Sequence, residues 1–466
     1  MDSLNLKEIL AKKDTVLYFV GIGGIAMSAV ACIAKEYGFK VKGSDSKEVY
    51  SPAKDVIDQA KLDYYIGYNE NNVKDSQADL FILSAGEGMH NPEINYILEN
   101  NLPRVGFAEL LYEFSKDNLR AVVTGTHGKS TTAGLLGSIL KSLDNSSFLT
   151  GGVLQNVGQN FHLGDGHYFV FEGDEYKNQF DDPTPKFHFY KPDILVLTNL
   201  EYDHPDLFVS FEDLENEFEQ LIANLPEDGL LVYNADDANL VKLAQKTEVV
   251  SVSFGIENEA DYKVEQIKYE KDYTTFEVSN KFSKNISSAL LGVSEQYKIQ
   301  LPGKFNVYNS LAVIATLRAL GFGQADIQLD LLAYKGIKRR FEVVGVKNGV
   351  TLIDDYAHHP TAVRETLSAA RLRYPQVKLW AVFEPHTFSR TKATLDDLAK
   401  SFDFADEVLI SEIYPAREKI TNSNINASEI IDAIKKHNTL FKMQNTVRTV
   451  KNKNEALEIL TVWRMN

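Results

Sequence analysis

Short apolar runs alternate along the chain with longer stretches of mixed polarity. Residues 15–20, 79–84, 168–171, 194–197, 350–353, 379–383 and 408–411 are hydrophobic and mostly β-branched or aromatic. Runs of that length and composition predict strands. Stretches with helical spacing follow several of them: to about residue 37 after the first, over 132–143, over 311–320, and to about residue 374. Strand and helix in alternation predict an α/β chain built on parallel sheets. At 466 residues the chain is too long for one core. The pattern divides it into three domains: 1–117, Rossmann-like; 118–332, P-loop ATPase-like; and 333–466, again Rossmann-like. A polar and aromatic insertion with two prolines occupies 177–191.

Polar residues gather where the apolar runs stop. Val122 and Val123 run into Thr124-Gly125-Thr126-His127-Gly128-Lys129-Ser130-Thr131-Thr132, a strand, a tight glycine turn and a helix start. A helix N-terminus presents unpaired N–H groups and a positive dipole end, so it receives phosphate. Lys129 is placed to reach terminal phosphates, and the Ser130 hydroxyl to hold a magnesium ion. Val123 stands where the general phosphate-loop pattern has glycine, so this loop is shorter than the common one. These residues predict an ATP site.

Comparable clusters follow other strands. Gly21-Ile22-Gly23-Gly24 closes the first, with Ser44-Asp45 about twenty residues on, as in a nucleotide-diphosphate turn, and Ser84 ends a later strand. In the second domain Glu172-Gly173-Asp174-Glu175 and Asn199-Leu200-Glu201-Tyr202-Asp203-His204 put carboxylates and an imidazole beside the phosphate loop. Such donors suit a divalent metal held through nucleotide phosphates. Asn306 and Asn309 lie one helical turn apart, where an amide reads an adenine edge. In the third domain Asp354-Asp355-Tyr356-Ala357-His358-His359, Glu384-Pro385-His386 through Arg390, and Tyr414 through Arg417 stand at three successive strand ends, the arrangement of a single sheet with its site along one edge.

Composition narrows the function. Forty-nine basic against 65 acidic residues give a net charge of −16, which excludes a nucleic-acid coat or an anionic membrane surface as partner. Cys32 is the single cysteine, so the chain has no internal disulfide, and no apolar run reaches the roughly 18 residues of a membrane span. A cytoplasmic protein, monomer or homodimer, is expected.

Taken in order, these motifs resemble those of the Mur ligases, ATP-dependent amide-forming enzymes of peptidoglycan synthesis. The resemblance covers nearly the whole chain and includes Lys338-Arg339-Arg340-Phe341. It implies ATP with Mg2+, and a UDP-sugar instead of a nicotinamide on the first domain. A nicotinamide oxidoreductase, the rival enzyme class, leaves the phosphate loop without a task. The glycine pattern belongs to the branch acting on UDP-N-acetylmuramate itself. Within that branch the central domain looks more like members that add a recycled tripeptide, and the third domain like those that add L-alanine. We take the third domain as deciding, because Arg390 can clamp the carboxylate of a lone amino acid. The resemblance implies Lys129, Glu172, His204, His358 and Arg340 as catalytic. It gives ATP to Gly125 through Thr131 with Asn306, Arg340 and Asp355. The UDP-sugar falls to Gly21, Ile22, Gly23, Gly24, Ser44, Asp45, Ser84 and His127. L-Alanine falls to His358, His386, Arg390 and Arg417, and the metal to Ser130, Glu172 and His204. Phe305 stands where the family has histidine before the adenine-reading asparagine.

Overall fold

The computed structural model describes residues 3–204, 207–282, 294–416, 418–419, 421, 425–441 and 443–465. Its N-terminal sheet has five parallel strands in the spatial order Tyr65–Ile66, Lys40–Asp45, Val16–Val20, Leu80–Leu83 and Arg104–Gly106. Chain order reverses between Val16–Val20 and Leu80–Leu83, and such a switch point opens a crevice at the strand ends. The helix Ile25–Glu36 covers one face, and its small residues Ala29, Ala31, Cys32 and Ala34 are buried between the sheet and the neighbouring helices.

A ten-stranded sheet forms the centre. Its middle is parallel, in the order Val250–Gly255, Leu230–Asn234, Ile194–Leu197, Leu119–Thr124, Tyr168–Glu172 and Ser147–Leu149. Val122, Val123, Leu195 and Val196 are fully buried, as strands covered on both faces must be. Tyr262–Tyr269, Thr274–Asn280 and Ser294–Ile299 extend one edge, the last two joining antiparallel. The helices Lys129–Asp144 and Lys304–Ala319 pack together on the core.

The insertion after Glu172 forms a hairpin, Lys177–Gln179 with Asp182–Pro185, and a short helix, Lys186–Tyr190. It works as a strap to the first domain. Asn178, fully buried, accepts from Ala108 N at 3.2 Å and donates to Glu109 Oε2 at 2.9 Å. Glu109 in turn accepts from Gly106 N at 2.8 Å.

The third domain departs from the single sheet expected of it. Trp380–Phe383, Glu407–Ile410 and Thr446–Thr449 form a three-stranded parallel sheet. Val350–Asp354 pairs instead with Glu342–Lys347 in an antiparallel hairpin. The intervening Asn348-Gly349 pair has positive φ at both residues, the geometry of a tight hairpin turn, and it folds the strand back locally.

Candidate active site

A cavity of about 1300 Å³ lies between the three domains. Its floor is the phosphate loop. Gly125 takes φ 128°, and a side chain there would collide with Thr198. Gly128, at φ 83°, turns the chain into the helix Lys129–Asp144 against the Asn309 amide. Lys129 Nζ donates to Gly125 O at 2.7 Å and to Glu175 Oε1 at 2.9 Å. Burial alone would lower the lysine's pKa, but the charges of Glu175, Asp174 and Glu172 outweigh it and hold it above its ordinary value. Burial pushes Glu175 up to about 7 despite Lys129 beside it. Burial also opposes ionisation of Asp174, yet Lys186, at 3.0 Å, and Lys129 bring it down to about 2.

Beside the lysine, Ser130 Oγ donates to Glu172 Oε1 at 2.7 Å, and Gly151 N donates to Glu172 Oε2 at 2.6 Å. His204 lines the same cavity with its ring edge-on to Tyr176, 4.6 Å between centroids. Burial lowers its pKa, leaving a neutral imidazole able to ligate. A hydroxyl, a carboxylate and this imidazole are a donor set that fits a hard divalent ion coming in with phosphates.

The first domain contributes Gly24, Ser84 and Ala85 to the wall, with His127 from the loop opposite. The rest of its glycine turn lies behind. Gly21 N and Ile22 N donate to Ser44 O at 2.9 and 3.0 Å, and Asp45 Oδ2 accepts from Gly23 N at 2.8 Å. Ser44 is fully buried, its hydroxyl bonded to Glu93. Asp45 thus braces the turn, and Ser44 belongs to a buried polar network.

Of the residues expected to hold nucleotide, Thr126, Thr131, Asn306, Arg340 and Asp355 reach the cavity, together with Phe305. Asn306 Nδ2 is bonded to Pro302 O at 2.7 Å and its Oδ1 to Asn309 Nδ2 at 3.2 Å. Asp355 accepts from Phe341 N and Ala357 N, both at 2.7 Å, and burial raises its pKa.

The third domain brings His358 to the cavity, its pKa lowered to about 3 by burial and by nearby Arg390. His386 lies behind it, its ring tilted by 45° and 5.5 Å away between centroids. Arg390 is buried, with Nε on Asp203 Oδ1 at 3.1 Å and Nη2 facing His204 Nδ1 at 3.4 Å. In this conformation Asp203 occupies the guanidinium that sequence reasoning assigned to a substrate carboxylate. Arg417 lies outside the described residues.

Two pairings had not been singled out. Glu175 is the partner of Lys129, and its place three residues after Glu172 was the available signal. Glu201 meets His127 at 3.2 Å and the third-domain Thr361 hydroxyl at 3.0 Å, a contact with no local signature.

Three family models match the chain: Mur ligase family, catalytic domain, at residues 16–118; Mur ligase middle domain at 123–317; and Mur ligase, glutamate ligase domain, at 339–464. A UDP-N-acetylmuramate–L-alanine ligase of Clostridium acetobutylicum is 37% identical, covering 99% of this chain and 96% of that protein. Among solved structures, the UDP-N-acetylmuramate-alanine ligase of Thermotoga maritima superposes with a TM-score of 0.74 at 26% identity, over 94% of this chain and 90% of the other. A murein peptide ligase from Psychrobacter arcticus superposes with a TM-score of 0.70, also at 26% identity, over 96% and 92%.

Proposed function

The chain belongs to the Mur ligase family, and from that premise we propose that it joins L-alanine to the carboxylate of UDP-N-acetylmuramate while ATP becomes ADP and phosphate. The observation that carries this reading is the shared cavity, which touches the phosphate loop, the crevice of the first sheet and His358 of the third domain. Three ligands held on three domains can therefore meet.

A carboxylate is a poor electrophile, so direct condensation with an amine is uphill. Transfer of the γ-phosphoryl group makes an acyl phosphate, which the amine then attacks, releasing phosphate. Two anions must approach in the first step, so neutralising charge is the main demand on the protein. Lys129 and Arg340 supply it, Lys129 exchanging Glu175 for the phosphates. Ser130, Glu172 and His204 would hold Mg2+, which when bound screens the phosphate charge. Asn306 and Phe305 form the base side of the nucleotide pocket, and Asp355 its ribose side. On the sugar side Gly24 and Ser84 face the cavity, backed by Gly21, Ile22, Gly23, Ser44 and Asp45. His358, a neutral imidazole backed by His386, orients the incoming amine. Placing the ligands in line does the rest.

A second reading, in which the amine belongs to a recycled tripeptide, has two supports: the likeness to the murein peptide ligase, and the engagement of Arg390 by Asp203. Phosphate release with UDP-N-acetylmuramate and ATP separates the two. Faster specific turnover with L-alanine supports the first; faster turnover with L-alanyl-γ-D-glutamyl-meso-diaminopimelate overturns it in favour of the second. The cytoplasm, where ATP and UDP-sugars are available, is the location this chemistry needs, and among the described residues no helix is long and apolar enough to cross a membrane.

A further inference from the structure

A second cluster of ligating side chains stands apart from Ser130, Glu172 and His204. His127 of the phosphate loop, Glu201 at the end of a central strand, and His359 of the third domain each offer one ligand atom, and these atoms lie within 4.8 Å of one another. We propose that this trio binds a divalent transition-metal ion of the zinc type, bridging the second and third domains.

The donor set carries the choice of ion. Two imidazoles and one carboxylate suit zinc and its neighbours, whereas a magnesium site is built mostly on oxygen. Tetrahedral zinc with bonds near 2.0–2.1 Å needs donors about 3.3 Å apart. His127 Nε2 and Glu201 Oε2 are already 3.2 Å apart, so a small inward shift of His359 completes the set. The imidazole rings of His127 and His359 are neighbours, 4.8 Å between centroids. Thr361 Oγ1 donates to Glu201 Oε2 at 3.0 Å and so steers the carboxylate, as outer partners do around bound metals. All three residues line the cavity, which gives an ion its entry path and a water its fourth position.

Ligation has local consequences. The contact between His127 Nε2 and Glu201 Oε2 would be replaced by two bonds to the ion, and the long contact from Thr361 N to His359 Nδ1, 3.3 Å, given up. His359 caps the helix Pro360–Arg373, so the ion would tie the first turn of that helix to the phosphate loop. The site thus offers transition metals a way to hold two domains together that must part for ligands to exchange.

The test uses the full chain without nucleotide, dialysed against Zn2+, and is independent of which amine the enzyme takes. His359→Asn keeps a residue able to cap the helix but removes a metal ligand. Glu201→Gln keeps the shape and removes the charge. Wild type is expected to retain one equivalent of zinc more than His359→Asn, and Glu201→Gln to bind that equivalent at least tenfold more weakly. Equal zinc content in wild type and His359→Asn, or unchanged affinity in Glu201→Gln, overturns the proposal.

Discussion

Lys129 Nζ lies 2.9 Å from Glu175, a carboxylate only 4% exposed. The ammonium that would neutralise ATP is therefore already paired inside the protein. Burial raises Glu175 from its ordinary 4.5 to about 7. A carboxyl group whose pKa is raised by folding favours the fold while protonated, so its contribution is complete below about pH 4.5 and is lost as pH rises through about 7. Across that window the unfolding free energy of wild type should fall relative to Glu175→Gln, measured by denaturant titration. Parallel curves for the two proteins would refute the assignment.

Lys129→Ala removes the one cation fixed at the turn of the phosphate loop. Turnover should fall by about 10²–10³-fold or more, the scale of losing a positioned group that stabilises transition-state charge. Binding of UDP-N-acetylmuramate, followed calorimetrically, should survive, because Gly24 and Ser84 belong to another domain. Joint loss of both would contradict separate sites.

Gly128→Ala tests the backbone of the same loop. Its φ of 83° is strained for any side chain, and the new methyl would meet the Asn309 amide. A cost of about 1–3 kcal/mol in stability is expected, with ATP affinity lost alongside. Thermal melting with and without ATP checks it; an ATP-dependent rise in Tm equal to wild type would count against the loop geometry.

Asn178→Ala cuts the strap. It leaves the amide of Ala108 and the carboxylate of Glu109 short of a buried partner, at a cost of about 1–3 kcal/mol. The lesion lies between domains and away from the phosphate loop, so melting of the first domain should separate from that of the second. Scanning calorimetry would then show two transitions; one unshifted transition would exclude a coupling role.

What the sequence makes legible is local. The turn from Thr124 to Thr132 reads as strand, glycine loop and helix because each step has its own residue preference, and the structure places Lys129 at the first position of its helix. The strands at 194–197 and 168–172 are equally plain, since continuous apolar runs have few other solutions. The apolar run at 350–353 reads as a strand of the parallel sheet but pairs antiparallel with Glu342–Lys347, because an apolar run does not reveal which neighbour it pairs with. Glu201 meeting Thr361 joins residues 160 positions apart, and no spacing rule spans that. Arg390 reads as free for substrate until the fold brings Asp203 against it. Asn306 and Asn309 were foreseen on one helix face, but their mutual amide bond depends on the buried start of that helix.

The central claim is that phosphate passes through the muramate carboxyl group within the shared cavity. UDP-N-acetylmuramate with both carboxylate oxygens replaced by 18O, incubated with ATP, L-alanine and the full chain, tests it directly by mass spectrometry of the released phosphate. The account predicts one 18O atom in each phosphate formed during amide synthesis. Unlabelled phosphate accompanying labelled amide product would contradict it.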